Sequence, residues 1–101
     1  VCQEQAVKTT RFERAVVALI YHHRTNNSIS GWELRELLLK AGIGKHPAAV
    51  AMNLTRLACK NGTVGCFIKN DRDRYFLLTS DGEDLGYQLS KRTFKEVFDD
   101  C

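Results

Sequence analysis

The apolar residues of this chain change their spacing abruptly just past residue 60. Up to there they recur every three or four positions, and from Val64 to Leu78 they alternate or run in one short block. Side chains return to the same face of a helix every 3.6 residues and to the same face of a strand every two. A chain of 101 residues that makes this switch without a linker must join packed helices directly to a β-hairpin. The fold class this predicts is α+β.

The helical part divides at its own punctuation. Thr10 and Glu13 form a T-x-x-E box, which satisfies exposed donors at a helix start. Phe12, Val16, Leu19, Ile20 and His23, with Ala15 beside them, mark one apolar face of a helix reaching Arg24. Thr25-Asn26-Asn27 breaks it, and Asn27 to Ser30, centred on Ile29, reads as one small strand. Ser30 and Glu33 form a second box, Leu34, Leu37, Leu38 and Ala41 an inner face, and Gly42 a helix end that wants positive φ. After the turn Gly42-Ile43-Gly44, Pro47 takes a first-turn position where its missing N–H costs nothing. Val50, Leu54, Leu57 and Ala58 form the inner stripe of the third helix, stopped at Asn61-Gly62.

In the β part, Val64, Cys66 and Ile68 alternate with Gly65, Phe67 and Lys69. Asn70 to Asp73 form a polar turn, and Tyr75 to Leu78 return as the second strand. Ser80 and Glu83 open a fourth helix holding Leu85 and Leu89, in which Gly82 and Gly86, four apart, allow close backbone packing. The expected organisation is an arm over 1–9, one domain over 10–90 and a helical extension over 91–101. Within that extension Phe94, Val97 and Phe98 are the expected homodimer contact. The composition, 44% hydrophobic and 27% charged with a single Pro, is that of one globular domain. No apolar run approaches the roughly 18–20 residues of a membrane span.

The net charge of +3 is unevenly placed. Residues 35–74 carry eight cations against three anions, and residues 75–101 carry three against six. A basic middle beside an acidic end predicts a polyanion-binding face with a non-binding end. The four cysteines show no C-x2-C spacing, so neither a zinc site nor a disulfide scaffold is expected. Cys59 and Cys66 are expected as buried structural thiols, and Cys2 and Cys101 pair only if the termini meet. This usage predicts a reducing intracellular compartment, cytoplasm or nucleus.

Catalysis is not expected. A phosphate-binding loop would need Gly at Leu39 and Ser or Thr at His46. His22 and His23 suit the negative end of a helix dipole and have no third metal ligand. Glu13, Glu33 and Glu83 are explained as capping partners. No enzyme activity, cofactor or metal is therefore expected. Trp32 and Leu39 sit off the main stripe of the second helix and either cover the core edge or offer a partner surface.

Two helices joined by a short Gly-containing turn read as helix-turn-helix, and a hairpin directly after them reads as a wing. From Thr10 to Leu89 the order resembles the winged helix-turn-helix superfamily, with a three-helix core, a β-hairpin wing and one or two C-terminal helices. Pro47-Ala48-Ala49-Val50 through Leu54-Thr55-Arg56-Leu57, then Asn61-Gly62, is similar to a recognition helix of bacterial regulators. Asp71-Arg72-Asp73-Arg74 with Leu78-Thr79 and Gly82 is similar to the wing and post-wing helix of MarR-type regulators. The chain leaves little room for that family's long terminal dimerisation helices, so the resemblance is to the superfamily.

The resemblance implies double-stranded DNA as partner, with the third helix in the major groove and the wing on the backbone or minor groove. Ala48, Ala49, Met52, Asn53, Arg56 and Lys60 then face the DNA. Ala48 and Ala49 permit close approach, Asn53 suits adenine and Arg56 guanine. Lys45 and His46, beside a helix start, suit phosphates, and Arg72 and Arg74 the wing contact. The alternative is a winged helix that binds a protein partner, favoured by the wing aspartates Asp71 and Asp73 and by Trp32 and Met52 if exposed.

Overall fold

The computed structural model describes residues 10–60 and 62–91. The arm over 1–9 and the stretch 92–101, with Phe94, Val97, Phe98 and both terminal cysteines, lie outside the described residues. The elements are α1 (Arg11–His23), β1 (Ile29–Ser30), α2 (Gly31–Lys40), α3 (Pro47–Lys60), β2 (Val64–Lys69), β3 (Asp73–Leu78) and α4 (Ser80–Ser90). They form a small α+β domain of four helices and one antiparallel sheet of order β1-β3-β2.

The local signals at the helix ends do what their chemistry predicts. Thr10 and Ser30 accept the amides of Glu13 and Glu33 at 3.1 Å each. At the end of α2, Gly42 takes φ +77° and donates to Leu39 O, while Ile43 donates to Leu38 O. That pair of bonds is a Schellman motif, which closes carbonyls the helix leaves open. Between α1 and β1, Asn26 and Asn27 adopt positive φ inside a Thr25–Ser28 bridge, a conformation Asn tolerates better than most residues.

Two capping expectations are corrected. The fourth helix is capped by Thr79, whose hydroxyl accepts the Gly82 amide, one residue before the expected Ser80. Thr79 serves because its amide and hydroxyl are already held by the carbonyls of Thr63 and Gly62. Glu13 and Glu83 reach other partners: the Glu13 carboxylate accepts from the Thr63 hydroxyl, and Glu83 pairs with Arg24.

The core is centred on α1. Ala15 to Ile20 are all buried, so in place of the expected single apolar face the middle of the helix is enclosed on every side. α2, α4 and β3 all pack against it. His23, expected on the apolar face, is exposed. Leu34 and Leu38 of α2, Val50, Leu54 and Leu57 of α3, and Phe76 and Leu78 of β3 fill the space beneath. Gly82 and Gly86 bring α4 in close. A Cβ at Gly82 would sit 2.0 Å from the Thr63 carbonyl oxygen, and one at Gly86 2.6 Å from the Tyr21 ring.

The hairpin runs out past this core. Val64 pairs with Leu78, Cys66 with Phe76 and Ile68 with Arg74, all on the core-side face. Val64 is buried, but Cys66 and Ile68 are exposed. The expected burial of Cys66 fails because the strand leaves the core after its second residue. Cys59, on the last turn of α3, is exposed as well.

Candidate nucleic-acid interface

The buried stripe of α3 determines what its other side presents. With Val50, Leu54 and Leu57 turned inward, Ala48, Ala49, Met52, Asn53, Arg56 and Lys60 are all exposed. At 100° per residue, Ala49, Asn53, Arg56 and Lys60 gather on one flank and Ala48, Thr55 and Cys59 on the flank toward the hairpin, with Met52 between. Lys45 and His46 are exposed just before the first turn. The His46 carbonyl accepts the Val50 amide at 3.0 Å, which places His46 at the helix start beside Pro47. Among the described residues no carboxylate pairs with Lys45, Arg56, Lys60 or Arg72.

The hairpin arginines part company. β3 begins at Asp73, so Arg74 belongs to the strand and not to the turn. Its guanidinium reaches back to α3 and donates to the Thr55 hydroxyl at 2.8 Å. Thr55 in turn donates to the Ala51 carbonyl at 3.1 Å. Arg72 stays at the tip, beside Asn70 and Asp71, which both hold positive φ. The Arg72 amide closes that turn on the Lys69 carbonyl. On the opposite face of the hairpin Phe67 stacks on Tyr75 with centroids 5.6 Å apart, and the Lys69 ammonium lies 5.3 Å from the Tyr75 ring centre.

Between α3 and the hairpin lies a cleft of about 460 Å³ that the sequence reading did not identify. Its walls are the start of α2 with its cap (Ser30, Trp32, Arg35), the middle of α3 (Ala51, Thr55) and the tip side of the hairpin (Arg72 to Tyr75), over a floor of Leu54 and Phe76. Three guanidinium groups line it against one carboxylate, that of Asp73. Trp32 is 65% exposed, so it does not cover the core edge; the Arg35 guanidinium lies 4.8 Å from its ring centre. The Arg35 Nε is enclosed without a hydrogen-bond partner among the described residues. Leu39, by contrast, packs against the core. A sequence signal for the cleft existed in the Trp32–Arg35 spacing of three, which places an aromatic and a cation side by side on a helix.

Chemically, the surface offers hydrogen-bond forks, point charges and the positive end of α2, all suited to an anionic partner. Among the described residues no group of three His, Cys, Asp or Glu side chains is placed to hold a metal ion, and no helix is long and apolar enough to cross a membrane. Comparison with protein-family models, with curated proteins and with solved structures returned no match, so the reading of this surface rests on its own residues.

Proposed function

We propose that this chain is a winged helix-turn-helix domain that binds double-stranded DNA in the cytoplasm or nucleus, as a transcriptional regulator or the DNA-recruiting part of a larger protein. α3 lies in the major groove and the β2–β3 hairpin is the wing. The observation that carries this reading is the exposed face of α3, where Asn53, Arg56 and Lys60 stand together with no carboxylate partner among the described residues, next to the hairpin that carries Arg72 and Arg74. Asn53 and Arg56 supply the two-pronged hydrogen bonding that distinguishes adenine and guanine. Lys45, His46 and Lys60 hold phosphates, and Ala48 and Ala49 let the backbones approach. Arg72 contacts the backbone or minor groove. The cleft between α3 and the wing adds Arg35 and the start of α2 as a further phosphate seat. A second copy, joined through 91–101, doubles the contact area that a single small module lacks.

The test is fluorescence anisotropy of a labelled random-sequence duplex titrated with the protein at several salt concentrations. Affinity falling steeply with salt is the expected result, because phosphate contacts release counterions. No binding at low salt overturns the reading. One observation favours a second reading: Met52 and Ile68, 55% and 52% exposed, give the same region an apolar share. A protein partner seated there would bind with little salt dependence and leave the duplex untouched.

A further inference from the structure

Cys59 and Cys66 take no part in that proposed function, and their placement is specific. Both are free and exposed. Thr55 and Cys59 are four apart on α3 and so lie on one side of it. That side faces the hairpin, because the Thr55 hydroxyl receives Arg74. In the hairpin, Arg74 pairs with Ile68 and Phe76 with Cys66, so Cys66 shares the face of Arg74, two residues nearer the core. α3 turns into β2 through a connection of three residues, 61–63. A step from Thr55 to Cys59 and a step from Ile68 to Cys66 both run toward that connection, so the two cysteines sit near it on two elements, α3 and β2, that pack against each other. Electrostatics agree with the geometry. Desolvation pushes the Cys66 thiol above its ordinary pKa, Arg74 opposes the rise, and the charge of Cys59 adds to it.

We propose that Cys59 and Cys66 form a dithiol modification site that hydrogen peroxide closes to an intramolecular disulfide, tying the last turn of α3 to the first strand of the hairpin. The thiolate of one cysteine attacks a peroxide oxygen. The O–O bond breaks, a sulfenic acid forms and the released hydroxide leaves as water. The second thiolate then displaces hydroxide from that sulfur, forming the S–S bond and a second water. The two thiols lose two electrons and two protons, and the peroxide is reduced by both. Desolvation leaves Cys66 with the smaller thiolate fraction, which makes it the poorer attacking group. Cys59 is oxidised first and Cys66 resolves it.

The experiment uses the full chain carrying Cys2→Ser and Cys101→Ser, treated with hydrogen peroxide, alkylated and digested with trypsin without reduction. The expected product joins the peptides Leu57–Lys60 and Asn61–Lys69, two hydrogens lighter than their sum, and separates on reduction. Adding Cys66→Ser should leave a sulfenic acid on Cys59 that dimedone captures, whereas adding Cys59→Ser should give little adduct. Sulfinic or sulfonic acid on unlinked peptides, or a disulfide found only between two copies, overturns the proposal. The mass readout does not involve DNA, so it stands or falls separately from the reading of the α3 face.

Discussion

Asn53 and Arg56 are one turn apart on the exposed flank of α3, and neither helps to bury Val50, Leu54 or Leu57. On the proposed DNA reading, replacing each with Ala should cost about 1–3 kcal/mol of discrimination at one base pair and leave the melting temperature unchanged. Competition of a preferred site against random duplex, beside a thermal melt, checks both halves. Cys66 makes a different prediction. Its raised pKa means that the folded state favours the neutral thiol. That contribution is fully present below the ordinary thiol pKa and is lost as pH rises through the raised value. Urea unfolding under reducing conditions should show an alkaline loss of stability that Cys66→Ser reduces. At this scale the sequence was most legible where chemistry is local: Thr10, Ser30, Gly42 and Pro47 act on backbone within four residues of themselves. Glu13 and Glu83 were misread because Thr63 and Arg24, distant in sequence, compete for their carboxylates.

Among the elements, the seating of α4 separates two kinds of contact that look alike in a list of neighbours. Glu83 pairs with Arg24, but the two side chains are 44% and 22% exposed, and water screens such a pair. Gly82, one residue earlier, meets the Thr63 carbonyl, which is backbone and cannot swing aside. Gly82→Ala should therefore destabilise by about 1–3 kcal/mol through overpacking. Glu83→Gln should cost less than about 1 kcal/mol. Chemical denaturation of the two variants gives the ranking, and equal losses would mean that α4 is held by its ion pair. The hairpin shows the limit of period reading at this scale. Alternation correctly placed Val64, Cys66 and Ile68 on one face, because phase is a local property. How far that face stays covered depends on where α3 ends and how long the strands run. The cleft was out of reach for the same reason: its walls come from three segments, around residues 30–35, 51–55 and 72–76, that only the assembled fold brings together.

For the molecule as a whole, charge follows architecture. The basic residues 35–74 supply α2, α3 and the hairpin, and the acidic Asp81, Glu83 and Asp84 sit on α4. If the proposed DNA reading holds, removing a tip cation that only meets phosphate should weaken all sequences alike. Arg72→Ala is expected to lower the slope of log affinity against log salt by about 0.9. An unchanged slope with altered sequence preference would instead place Arg72 on bases.

The enclosure of the middle of α1, Ala15 to Ile20, has a consequence in time as well as in space. That stretch is covered on every side while the ends of the helix are exposed, so its amides exchange with solvent only when the whole domain opens. Amides near the hairpin tip, beyond the core, should exchange by local opening, many times faster. Hydrogen exchange should therefore give one slow, shared rate for Val16 to Ile20, tracking global stability in every variant above, and a fast set around Asn70. The domain would then be a rigid hub with one pliant arm, and the arm can adjust to a partner without loosening the hub.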